Sequence, residues 1–289
     1  MVAVDRIERA LEKALSCATD DLCPPRFAAS LRHAVMPGGA RVRPRLCLAV
    51  ANACGDDRPS LTDGAAAAIE LLHCASLVHD DLPCFDDADV RRGKPSVHMA
   101  FGEPIAVLAG DALIVLAFQV MADEILSAPE RSARLLAIVA KAVGAPRGIV
   151  AGQAWESEPM TVLEIYQRAK TGSLFVAAAA AGAAAAGADP APWEDFGEHL
   201  GEAYQVADDL RDAIAEPDEL GKPVGQDEAF NRPNAVAELG IGGAIGRLEG
   251  LIADAIGHIP QCENAQALKD LIRIEVKRLM PKKAARYAA

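Results

Sequence analysis

The stretch AAAAIELLHCASLVHDD (residues 65–81) is built mostly from small and apolar side chains and runs almost directly into a proline at position 83. Alanine and leucine are strong helix formers, whereas proline lacks an amide proton and clashes with the preceding turn. One long helix is therefore expected from about Leu61 to Leu82. A second alanine run, 176–188, has the same character. Its small side chains let backbones approach, which marks close helix packing in a core or at a subunit interface. Clusters of β-branched residues with alternating polarity are scarce, and aromatics make up only 4% of the chain, so the fold class reads as all-α.

The remaining helices are expected at 4–16, from Pro24-Pro25 to Met36, from Pro44 to Cys54, and near 104–126, 130–143, 161–186, 193–215, 234–257 and 264–279. MPGGARVRP (36–44) is a break, and EPDELGKPVGQDEAFNRP (216–233) is a polar loop. No repeat of solenoid length and no linker divides the 289 residues. One helical domain over 1–289 is the simplest account.

Formal net charge is −12, which disfavours nucleic acid, because phosphate backbones bind to basic faces. Anionic small molecules are not excluded, since local cations or metal ions can hold them. Seven scattered cysteines without a CxxC pair fit reduced thiols rather than a disulfide framework. The charged, amphipathic MVAVDRIERALEKAL start is no signal peptide. The apolar window 104–122 is broken by Gly110 and Asp111, so no membrane span is expected. A cytoplasmic location follows.

Five aspartates, Asp80, Asp81, Asp86, Asp87 and Asp89, crowd the end of the long helix. The helix macrodipole already disfavours negative charge there, so a cation is expected beside them. The loop after Pro83 could return Asp86 to Asp80, and paired carboxylates with water and phosphate oxygens suit Mg2+. A second cluster, YQVADDLRD, sets Asp208 and Asp212 four residues apart on one helix face, with Gln205 one turn earlier. Either cluster alone reads as solvated surface or a helix cap. Two of them 128 residues apart, each following an apolar helix, read as two walls of a metal-binding cavity.

Cationic residues flank both clusters: Arg41 and Arg43, Arg91, Arg92 and Lys94, Lys170 beside Thr171, then Lys222 and Arg232. Arginine's planar fork suits diphosphate oxygens, and two diphosphate substrates would occupy several such groups. His73 and Ser76 lie near the face that carries Asp80. A lone histidine is more often a core residue, but beside a metal site it could bond a phosphate. No GxSxG, Walker loop or GxGxxG is present.

The segments GGARVRP, ELLHCASLVHDDLPCFDDADVRRGKPSVH, AKTGSLF and YQVADDLRDAIAEPDELGKPVGQD together resemble the trans-isoprenyl diphosphate synthases. The similarity is greatest to the bacterial geranylgeranyl diphosphate synthases of carotenoid pathways. The resemblance implies an all-α bundle around a deep cavity, usually a homodimer. It implies Mg2+ at Asp80 and Asp86 on one wall and Asp208 on the other, with Asp212 supporting and three ions in all. Lys170, Thr171, Gln205, Lys222 and Arg91 would then surround an allylic diphosphate, and Arg43, His73 and Arg92 the diphosphate of isopentenyl diphosphate. Arg232 keeps a charge where the family has lysine.

The implied chemistry is ionisation of the allylic C–O bond and attack on the carbocation by the isopentenyl double bond. Small Ala75 and Ser76 in the cavity floor would leave room for a C20 product, with Val115 or Phe118 closing it deeper. A C15 product, or a non-catalytic partner subunit, is the alternative. Besides Arg232, three positions depart from the family pattern: Ala40 and Gln226 where lysine is usual, and Asn234 where threonine is common. Loss of the lysine at 40 removes a diphosphate contact unless Arg41 compensates.

Overall fold

Close helix contacts, made possible by small side chains, decide where each element sits. The computed structural model describes residues 3–36, 38–160, 162–214 and 234–279. The long helices are α1 (Ala3–Ala18), α2 (Pro25–Val35), α3 (Val42–Ala53) and α4 (Pro59–Asp80). A two-stranded hairpin, β1 (Val90–Arg91) and β2 (Lys94–Pro95), follows, with Val90 opposite Pro95 and Arg91 opposite Lys94. Then come α5 (Val97–Phe101), α6 (Glu103–Ala122), α7 (Pro129–Val143) and α8 (Ile149–Trp155). Helix α9 (Leu163–Gln167) leads through a π turn at Arg168–Gly172 into α10 (Ser173–Ala185). Helices α11 (Glu194–Ile214), α12 (Ala235–Gly257) and α13 (Ala265–Leu279) complete the described chain.

Helix α10 is the hub. It packs on α3, α4, α7 and α11, and of its residues only Val176 is not buried. Alanine loses no rotamer freedom on burial, so the run can be enclosed on all sides at little entropic expense. A methyl group at Gly182 would collide with the Cys47 carbonyl, and one at Gly201 of α11 would lie 2.9 Å from Gly172 Cα. The alanine run therefore belongs to the core.

Most expected helices are present, with shifted ends. Helix α4 stops at Asp80 rather than Leu82, because the residue before a proline is pushed out of helical geometry; the Leu82 amide bonds to His79 in a tighter turn. The single helix expected over 161–186 is divided by the π turn. Helices α5 and α8, of five and seven residues, are too short to show a periodicity, and neither they nor the hairpin were expected. Gly240, at φ 69° and ψ 170°, breaks α12 near its start. The expected 216–233 loop lies outside the described residues.

Arg41 does not compensate for the missing lysine at position 40. It is 3% exposed and donates to Glu70 at 2.7 Å, Glu8 at 2.8 Å and the Val35 carbonyl at 2.9 Å. Its ion pairs outweigh desolvation and raise its pKa. Glu70→Ala would leave the buried Arg41 with the more exposed Glu8 as its carboxylate partner and should cost up to about 3–5 kcal/mol. Chemical denaturation would show this as a lower midpoint at unchanged slope.

Among the described residues two helices, α4 and α6, are long and apolar enough to cross a membrane by length and composition, with 78% of the α4 stretch and 39% of the α6 stretch buried. On α6, Val107, Leu108 and Val115 are exposed. Val115, at 57% exposure, faces away from the interior and cannot close a cavity inside this chain. Apolar residues are spread all around helix α6, with Asp111 and Gln119 as isolated exceptions in its interior, so its sequence carried little signal for which face points inward. Phe118 packs against the core.

Candidate active site

Four local devices bring the charged groups together. The first is the loop after Pro83. The Asp86 amide donates to the Asp80 carbonyl at 3.0 Å, which returns Asp86 to the end of α4. Carboxylate oxygens of Asp80, Asp86 and Glu156 lie within 4.8 Å of one another. Lys170 supplies compensation: its ammonium sits 3.1 Å from Asp80 and 2.6 Å from Glu156. Glu156 was not anticipated. It is the residue just past the C-terminal end of the short helix α8, one turn after Gln153, and that i, i+3 spacing was the only signal available for it.

The second device is the hairpin. Arg92 and Gly93 both have positive φ, 54° and 74°, which forms the tight reversal suited to two-residue hairpins. It directs Arg91 to Asp81, with two donor nitrogens 2.9 and 2.5 Å from one oxygen, and leaves Arg91 3.9 Å from Asp80. Asp81 is 2% exposed; burial pushes its pKa up, and Arg91 opposes this. Asp81 is thus spent on Arg91. Arg92 lies 3.7 Å from Glu70 and borders the glycine break, where a methyl at Gly39 would meet its Nε at 2.9 Å.

The third device is α11. Thr171 of the π turn donates to Gln205 at 2.9 Å, and Gln205 donates to Asp209 at 3.0 Å. Asp209 is buried and accepts the Ala235 amide at 2.8 Å, so it anchors the start of α12. Asp208, by contrast, pairs with Arg211 at 2.9 Å. Asn234 caps α12 by accepting the Ala237 amide at 2.7 Å. Asparagine and threonine both serve as N-caps, which accounts physically for that departure. Lys222, Gln226 and Arg232 lie outside the described residues.

The fourth device is an aromatic box around Arg43. Its guanidinium lies 4.7 Å from the Phe175 ring centre and 5.6 Å from that of Tyr204, with Nη1 3.4 Å from His73 Nε2. Arg211 lies 5.6 Å from the same Tyr204 ring, so stacked cations and rings run from His73 across to Asp208. Arg43 Nε is buried without a hydrogen-bond partner among the described residues. A buried donor left unmet suits an incoming anion. Burial lowers the Arg43 pKa.

Burial, and then Arg43 and Arg92, hold the His73 imidazole well below its ordinary range and neutral. The unfolded chain takes up this proton below about pH 6.5 and the folded chain does not, so stability should fall on acidification from there. His73→Asn should remove part of that slope, read as unfolding free energy against pH.

Ala75 is 1% exposed. Ser76 is partly accessible and turns its hydroxyl back to the His73 carbonyl at 2.8 Å. Asp212 is one turn beyond Asp208 on α11.

A model of the family described as polyprenyl synthetase matches residues 24–269. The chain belongs to the polyprenyl synthetase family. Two relatives named geranylgeranyl diphosphate synthase share its length: that of Cereibacter sphaeroides is 52% identical over 99% of both chains, and that of Rhodobacter capsulatus 51% over 95% of both. A solved structure of a geranyltransferase from Helicobacter pylori, complexed with magnesium and isoprenyl diphosphate, superposes with a TM-score of 0.81 at 26% identity over 96% of each chain. Polyprenyl synthetases are Mg2+-dependent trans-prenyltransferases that use isopentenyl and allylic diphosphates, and the cluster of Asp80, Asp86 and Glu156 is compatible with that metal.

Proposed function

We propose that this chain is a geranylgeranyl diphosphate synthase, acting as one domain over residues 1–289. The observation that carries the reading is a carboxylate cluster of Asp80, Asp86 and Glu156 already holding a cation, the Lys170 ammonium; the buried Arg43 with its unmet Nε–H supplies a separate anion-seeking group. Asp80 and Asp86, with Asp208 and Asp212 across the cavity, would hold three Mg2+ ions. When bound, these supply charge stabilisation to the leaving diphosphate.

The chain's own residues do the rest. Lys170, Thr171, Gln205, Arg91 and Lys222 would orient the allylic diphosphate and Arg43, His73 and Arg92 the isopentenyl diphosphate, with Arg232 near the site. Neutral His73 donates or accepts one hydrogen bond without adding charge. Ionisation of the allylic C–O bond gives a carbocation, the isopentenyl double bond attacks it, and the released diphosphate takes the proton. The buried faces of α4 and α10 keep water from the cation. The full-length similarity to two geranylgeranyl diphosphate synthases supports C20 over C15, and retention of both aspartate clusters supports catalysis over a partner-subunit role.

The test is a product assay with Mg2+, labelled isopentenyl diphosphate and C5, C10 or C15 allylic starters. A C20 product is expected; no product from folded protein would overturn the reading. All seven cysteines are free thiols, which supports a cytoplasmic location. The exposed Val107, Leu108 and Val115 on α6 support a homodimer through that helix. Leu108→Glu should then convert dimer to monomer in light scattering.

A further inference from the structure

We propose that the Lys170 ammonium is a resident placeholder for a divalent cation at Asp80, and that Glu156 is the positioning residue that retains it when it swings away from Asp80. This rests on the metal assignment above.

Three carboxylates whose oxygens come within 4.8 Å of one another repel strongly unless a cation stands among them. Lys170 is that cation, bonded to Asp80 and Glu156 together. A metal ion at Asp80 and Asp86 would face the ammonium at close range, so the two exclude each other at Asp80. Lysine's single flexible stem allows such movement, where arginine's rigid fork would not.

Glu156 is fitted to be the anchor. Its Oε1 accepts from Tyr166 at 2.6 Å as well as from Lys170, and its Oε2 accepts from Gln153 at 2.8 Å. A carboxylate offers about four acceptor sites, so at least three donors leave it little capacity for metal and fix it in place. Its spacing to Lys170 is also set by packing. Helix α8 lies directly on the π turn, where a methyl at Gly152 would collide with the Lys170 backbone. When Asp80 releases the ammonium, Glu156 retains it within reach of the allylic diphosphate. Entry of the ion and delivery of Lys170 are then one exchange.

The test is Mn2+ binding to the full-length, substrate-free protein, followed by electron paramagnetic resonance. Lys170→Ala removes the competitor, so Mn2+ should bind roughly tenfold more tightly even as turnover falls. Glu156→Gln hands the ammonium wholly to Asp80, so affinity should drop roughly tenfold. The double variant should match Lys170→Ala within about twofold, because Glu156 acts only through the lysine. Lys170→Met replaces the alanine variant if circular dichroism shows misfolding. Unchanged or weaker Mn2+ binding in Lys170→Ala would overturn the exchange. A double variant that falls below Lys170→Ala, as Glu156→Gln falls below wild type, would make Glu156 a direct ligand instead. Failure of wild-type protein to form prenyl product would count against the enzymatic reading alone, since Mn2+ binding needs no substrate.

Discussion

Alanine at position 80 should lower kcat by at least about 10²–10³-fold, the usual loss when one electrostatic stabiliser of a developing anion is removed. The fold should survive, for a reason visible around the residue. Asp80 ends α4, where the macrodipole opposes a carboxylate, and Asp81 and Asp86 crowd it further. Lys170 keeps Glu156 as a partner after the change. Thermal stability should therefore stay the same or rise, a known trade at active sites. Asp208→Ala should act likewise, removing one partner of Arg211 without touching Asp209, whose carboxylate accepts the Ala235 amide. Full activity in either variant with Mg2+ would remove the carboxylates from the mechanism.

Tyrosine at position 75 should shift the product from C20 to C15. Ala75 is buried on α4, five residues before Asp80, and a phenol ring there would fill space below the growing chain. The ring must displace packed neighbours, so a stability loss of about 1–3 kcal/mol should accompany the shortened product. Both readings come from one preparation, by chromatography of the product and by thermal melting. A destabilised enzyme that still makes C20 would put the floor elsewhere, with Ser76, which keeps accessible surface, as the next position to fill.

Helix content was legible because alanine and leucine runs and bounding prolines act locally. The return of Asp86 to Asp80 was legible too, since Pro83 forces a loop and the spacing is short. Glu156 and Tyr166 were not, because neither lies in a charged cluster along the chain, and Tyr204 was not, because its stacking on Arg43 joins segments far apart in sequence. Glu156 gains its place from a π turn and from the close approach at Gly152, neither of which leaves a periodic trace.

Arg41 and Arg43 mark the same boundary most sharply. Two residues apart in GGARVRP, they are equivalent by residue type. One is consumed by Glu8 and Glu70, which lie 33 and 29 residues away; the other stands in an aromatic box with a donor unmet. The sequence by itself determined the long helices, the two acid clusters and the kind of chemistry they suit, because propensity and charge spacing are local properties. Only the tertiary structure decided which cation neutralises which carboxylate. That choice depends on ångström-scale separations between distant segments, and Coulomb energies in a poorly solvated interior change steeply with them.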